Sequence, residues 1–276
     1  MQTPAVRRPA VAGRFYPAKP DVLARQLDQY LSSGAVAPEK AEAALGCLVP
    51  HAGYMYSGQV AGAVFERLPA RAAYIILCPN HTGRGAPLSI MSQGEWLTPL
   101  GAARIDGRLA QSLVRACHLL TEDSKAHEDE HAIEVELPFL QRRVGEFTFV
   151  PIAIGVSRYA ALEALGHGMA QALKSAASPV LIVASSDMNH YEPDDVTRAK
   201  DRKAIDRILA LDPMGLYEVI RQEDISMCGY GPAVAMLTAT KDLGATRAEL
   251  VRYATSADAS GDRSAVVGYA GMVISG

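Results

Sequence analysis

The strongest constraint on the fold is an alternation of short, wholly apolar runs with stretches of helical spacing. The apolar runs are LGCLVP (45 to 50), AAYIILCP (72 to 79), FTFVPIAIG (147 to 155), PVLIVAS (179 to 185) and AVVGYAGMVIS (265 to 275). Runs of that length without polar alternation read as strands buried on both faces. Between them, Leu23, Leu27, Tyr30 and Leu31 share one helical face ahead of a stop at Gly34. Val60, Val64 and Leu68 form a second stripe, which Ser57 can cap. Helices are also predicted over 107–120, 131–144 with a kink at Pro138, 159–174, 194–210, 213–222 and 232–243, and short strands or a hairpin over 88–105. This pattern predicts an α/β sandwich with a largely parallel or mixed central sheet flanked by helices, closing on an antiparallel edge.

The 276 residues fall where a single core can still grow, and no linker, low-complexity tract or fixed-period repeat divides them. One domain spanning 1–276 is expected. The net charge of −3 is spread along the chain with no basic stripe, which argues against a nucleic-acid partner. No apolar run approaches the ~20 residues of a membrane span, and MQTPAVRRPAVAGRFYP lacks a long apolar core. A cytoplasmic protein away from the membrane is the expectation. Cys47, Cys78, Cys117 and Cys228 are widely spaced with no CxxC pair, so they read as reduced thiols, mostly in the core.

Three of the apolar runs end in histidine. VPHAGYMYSG places His51 just past the first, CPNHTG places His81 past the second, and SSDMNHYE places Asp187 and His190 past the strand at 179–185. Carboxyl ends of strands in an open α/β sheet form the ligand-binding face, so residues remote in sequence converge there. Imidazole is the commonest metal ligand and titrates near neutrality, so the cluster suggests a metal centre, proton transfer or both. A third, anionic ligand is offered by Cys228 in DISMCGYGPAV, a glycine-bearing turn before a helix. Cys47 and Cys78 lie inside strands.

HEDEH (127 to 131) formally matches the H-E-x-x-H zinc protease pattern. That motif needs a helix packed into the core, whereas SKAHEDEH reads as a solvated polar loop entering a helix N-terminus. Asp194, Asp195 and Asp201 read as an exposed helix start and face, and Trp96 as a packing residue. No nucleophile elbow, phosphate loop or dinucleotide fingerprint is present.

PHAGYMYSG, CPNHTG, EHAIEVELPFLQ, SSDMNHYE and MCGYGP, with RRPAVAGRFYP near the start, resemble the Memo family, called AmmeMemoRadiSam system protein B in prokaryotes. The resemblance implies the fold of class III extradiol dioxygenases, which hold non-haem Fe(II) between two histidines and a glutamate. It implies His51 and His81 as metal ligands and Cys228 at the third position. It also implies His190 as acid/base with Asp187 beside it, and Phe15 as a pocket wall. His131 and Glu134 then line or brace the pocket, or form a surface i, i+3 pair. Fe(II) is the metal favoured by the resemblance, and the thiolate in place of glutamate also admits Cu or Zn. A redox or oxygen-linked role is one expectation. The alternative is a non-enzymatic module that binds a small molecule, peptide or partner through a retired site. A radical-SAM protein and an AMMECR-domain protein are the partners implied.

Overall fold

The computed structural model describes residues 5–32 and 43–276, so the stop expected at Gly34 lies outside the described residues. The chain begins β1 (Val6–Arg7), α1 (Pro20–Leu31), β2 (Ala44–Val49), α2 (Tyr54–Arg67) and β3 (Ala73–Pro79). It continues through β4 (Leu88–Ile90), β5 (Glu95–Thr98), β6 (Gly101–Ile105), α3 (Gly107–Ala116), β7 (Thr121–Glu122) and α4 (Leu137–Val144). Next come β8 (Thr148–Ile154), α5 (Tyr159–Lys174), β9 (Val180–Ser185), β10 (His190–Glu192), α6 (Asp194–Leu209) and α7 (Pro213–Gln222). The last elements are α8 (Tyr230–Asp242), β11 (Arg247–Thr255), α9 (Ala257–Ser260) and β12 (Val266–Ser275).

Four of the predicted apolar strands make the centre of a mixed twelve-stranded sheet, in the order β8-β3-β9-β2, all parallel. Alternation along each strand divides its side chains between two apolar layers. Leu48, Ile75, Leu77, Ile182 and Ala184 face α3, α5, α6, α7 and α8. Cys47, Val49, Tyr74, Ile76, Cys78, Leu181 and Val183 face α1, α2 and α4. Burial on both sides is why these strands carry no polar alternation.

β12 pairs antiparallel with β2, as expected of a closing strand, but it is not an edge, because β10 and β11 both pair with it. β11 escapes sequence reading because Arg247, Glu249 and Arg252 interrupt its apolar residues. Two helix starts also differ from expectation. α2 begins at Tyr54 after Gly53, and Ser57 lies inside it with its hydroxyl donating to the Ala52 carbonyl at 3.0 Å. Pro138 does not kink a longer helix. It opens α4, where its missing N–H costs nothing, and residues 132–136 are turns.

The acidic face expected on α6 is partly buried. Asp194 is 5% exposed and bonds Thr255, Arg198 and Arg263, while Asp201 is fully buried. Asp201 accepts from Tyr253 Oη at 2.7 Å and Asn189 N at 2.8 Å. Gly268 makes room for it, since a Cβ there would overlap the carboxylate oxygen. Burial, opposed by the Tyr253 and Asn189 hydrogen bonds, raises the Asp201 pKa to about 7. In the unfolded chain a carboxyl titrates near ~3.9. Between those values the folded state holds a proton that the unfolded state has lost, so stability falls as pH rises through the window. Asp201→Asn imitates the protonated form and is expected to flatten that slope by up to about 1.4 kcal/mol per pH unit. Urea midpoints at pH 5 and 7.5 measure it, and an unchanged slope contradicts the assignment.

Candidate metal centre

β3, β9 and β2 are adjacent and parallel, with Leu77 opposite Ala184 and Val49 opposite Ser185. Their carboxyl ends therefore lie level, and the residues that follow open onto one pocket. The pocket is about 610 Å³ in volume, and its lining includes Phe15, His51, His81, His131, Asp187, His190 and Cys228. Cys228 arrives from the turn before α8, and Gly229 lets that turn press against the end of β9. A Cβ on Gly229 would strike Ser185 O and Ser186 Cβ, while its N–H donates to Ser186 Oγ at 3.0 Å. The N-terminal end of a helix also favours a thiolate.

One donor atom from each of His51, His81 and Cys228 lies within 4.8 Å of the others. Cys228 Sγ is 3.3 Å from His51 Nε2. Two donors sharing one tetrahedral ion, with bonds of about 2.3 Å to sulfur and about 2.0–2.1 Å to nitrogen, stand at a similar separation. Burial, with Asp187 adding to it, pushes the Cys228 thiol well above its ordinary pKa. A bound cation is what would draw that proton off.

Three of the four pocket imidazoles have their Nδ1 atoms spent on the protein. His51 Nδ1 meets Ser185 Oγ at 2.9 Å, His81 Nδ1 meets Glu130 Oε1 at 2.9 Å, and His190 Nδ1 meets the Ser226 carbonyl at 2.9 Å. In each ring Nε2 is left as the other functional atom. Histidine ligands of metals characteristically have the second nitrogen tied in this way, which fixes ring orientation. The donor set and its supports fit a transition metal.

Glu130 is fully buried yet ionised. It accepts from His81 N at 2.6 Å and Ala132 N at 3.0 Å besides His81 Nδ1. Burial raises its pKa, but the His81 bonds outweigh that and leave it lowered. Burial likewise lowers the His81 pKa, and Glu130 reverses it to a net rise. His51 and His190 are held below the ordinary imidazole value, chiefly by burial, and so stay neutral near pH 7.

The family model described as a Memo-like protein matches residues 7–273. The chain belongs to the Memo family. A MEMO1 family protein of Methanothermobacter thermautotrophicus is 42% identical over 273 residues, spanning 96% of this chain and 99% of its own. Another, from Methanosarcina barkeri, is 43% identical over 270 residues, spanning 98% and 100%. A crystal structure of an uncharacterized protein from Escherichia coli K12 matches with a TM-score of 0.61 at 15% identity, over 84% of this chain and 99% of that one. At that identity the likeness is one of fold.

In this Memo-family chain Asp187 does not orient His190. Its Oδ1 accepts from His51 N at 2.8 Å, shaping the turn that carries His51, and Ser226 holds His190 instead. Burial, offset by hydrogen bonds from His51 N and Ala52 N, raises Asp187 to about 7. His131 lines the pocket, edge-on to Phe15 at 4.9 Å and stacked on His81 at 4.8 Å. Glu134 is fully buried and bonded to Arg7, Ala10, Val11 and Tyr16, so the surface-pair reading fails for it.

HEDEH is an irregular loop rather than helix. His127 is buried 5.7 Å from the Trp96 ring, away from the pocket lining, and Trp96 is itself buried beneath the Arg7 guanidinium. Sequence reading missed Glu130, Ser185, Ser226 and the pocket tyrosines Tyr191 and Tyr269. Ser185 and Glu130 were within motifs already singled out, but nothing local marks a glutamate in a run of four charged or imidazole neighbours as buried. No helix among the described residues is long and apolar enough to cross a membrane.

Proposed function

We propose that this chain is a metalloprotein that holds a transition metal through His51 Nε2, His81 Nε2 and Cys228 Sγ, in a redox or oxygen-linked role. The observation that carries this reading is the convergence of three donor atoms with both imidazole Nδ1 positions already engaged. A metal so bound would supply a Lewis-acidic or redox-active centre open to the pocket. Iron(II) is the first candidate, with copper and zinc as the alternatives that a thiolate ligand favours. His190, neutral and hydrogen-bonded at Nδ1, offers an Nε2 lone pair and would accept a proton from a pocket ligand, returning it later. The apolar wall of Phe15, Val267 and Tyr269 would orient that ligand and keep bulk water off it.

Protein purified without oxygen is expected to carry close to one equivalent of iron, copper or zinc, and His51→Ala to carry almost none. Elemental analysis of both decides it; no metal in either sample sinks the reading. A second reading, capture of a partner or peptide, is supported by Tyr191, which lines the pocket yet is 78% exposed. A radical-SAM protein and an AMMECR-domain protein are the partners to try. Binding that persists in His190→Ala and Cys228→Ser would place recognition outside the pocket.

A further inference from the structure

Ser185 Oγ stands where three hydrogen bonds meet, and it has one proton for them. It lies 2.9 Å from His51 Nδ1, 2.9 Å from the Ala132 carbonyl oxygen and 2.8 Å from Glu136 Oε1. A hydroxyl supplies one donor and two acceptor lone pairs. A backbone carbonyl can only accept, so the hydroxyl proton belongs to Ala132. The other two partners then have to bring protons of their own, one on His51 Nδ1 and one on Glu136 Oε1. Giving the proton to Glu136 instead leaves the Ala132 carbonyl facing a serine lone pair at hydrogen-bond distance.

The surroundings of Glu136 agree with this count. Glu136 and Ser185 are fully buried, and Glu136 Oε2 has no hydrogen-bond partner. An ionised carboxylate spreads its charge over both oxygens, and burying one of them without a donor is costly. Burial, helped by the nearby Asp187 carboxylate, holds Glu136 well above the ordinary carboxyl range. Glu130 is the internal contrast: three donors converge on its two oxygens, and it stays charged.

We propose that Glu136 is a neutral carboxylic acid in the folded protein and that, through Ser185, it is the positioning residue that holds His51 in its Nδ1–H tautomer with Nε2 turned to Cys228. The two imidazoles proposed as ligands are thus held differently, His81 by an anion and His51 by a neutral hydroxyl that itself accepts from an acid. An anionic partner raises the basicity of its imidazole, and a neutral one does so far less. His81 is the stronger donor and His51 the weaker. A second buried anion behind His51 would add negative charge beside Asp187 and the Cys228 thiolate, and the protonated glutamate avoids it.

The consequence for metal affinity rests on the metal reading above, whereas the protonation and tautomer do not. The experiment therefore has two arms. In metal-free protein at neutral pH, infrared difference spectra should show the carbonyl stretch of a buried carboxylic acid that disappears in Glu136→Gln, and the nitrogen-15 shifts of His51 should show Nδ1 protonated. Absence of that band, or a protonated Nε2, overturns the proposal.

In the second arm zinc is titrated into both proteins and into Glu136→Leu. The glutamine amide can donate to Ser185 as the acid does, so Glu136→Gln should bind zinc within about 3-fold of the unaltered protein. Leucine cannot donate, and Glu136→Leu should bind roughly 10–100-fold more weakly. Equal weakening in both variants would overturn the positioning role. If Glu136→Leu fails to fold, the infrared band and the glutamine variant decide alone. If the unaltered protein binds no zinc, iron or copper while the band and tautomer are as stated, the metal reading fails and the protonation assignment stands.

Discussion

Glu134→Ala is expected to cost the folded state about 3–5 kcal/mol, the usual loss when one partner of a buried ion pair is removed. The carboxylate accepts from Arg7 Nη1 at 2.7 Å, Ala10 N at 2.7 Å, Val11 N at 3.0 Å and Tyr16 Oη at 2.6 Å. All four donors come from the N-terminal segment, more than a hundred residues away. Without Glu134 the Arg7 guanidinium, 7% exposed, keeps its bonds to the His127 and Glu130 carbonyls but loses its counter-charge. A buried cation of that kind is the dominant penalty. Urea denaturation measures the loss, and the paired change Arg7→Met with Glu134→Leu should recover much of it, because no charge is then stranded. A loss below about 1 kcal/mol for Glu134→Ala, the range of exposed pairs, would mean that the pair is hydrated.

Cys228→Asp is the second large effect expected, and it concerns which metal binds rather than how stable the fold is. The position sits 3.3 Å from His51 Nε2, and sulfur is the only soft donor in the set. An aspartate turns the site into two imidazoles and a carboxylate, a set suited to Fe(II) with open positions. Copper(I) affinity should fall by more than the roughly 10–100-fold that loss of a supporting hydrogen bond costs, while Fe(II) is retained. Competition titrations against chelators of known affinity report both. Unchanged copper binding would remove Cys228 from the ligand set.

How much of this was legible in the sequence depends on whether the signal was local. The parallel core was, because each central strand is an unbroken apolar run, and so was the convergence of His51, His81 and His190, since each follows such a run. Cys228 stood out by the same reasoning, as a thiol in a turn rather than a strand. Glu130 was not legible. Its burial depends on donors from His81 and Ala132 and on Arg7, which reaches it from the far end of the chain. Asp201 failed in the same way, since Tyr253 and Asn189 meet it only once α6 lies against the β11–β12 hairpin. Asp187 was placed beside His190 by the family resemblance, and its hydrogen-bond partner was not legible in the sequence. In the structure Asp187 turns to the backbone of His51, while Ser226 holds His190.

The level ends of β3, β9 and β2 also bear on when the site comes into being. β9 lies between β2 and β3 in the sheet, although more than a hundred residues separate it from either along the chain. Pairings of such long sequence separation are the slow steps of folding. During synthesis the two histidines emerge early with nothing between them, and the cysteine emerges only after β9. Until β9 is made, His51 and His81 therefore stand on an unclosed sheet without Cys228. Loading of the proposed site through all three donors would thus wait until the sheet is complete.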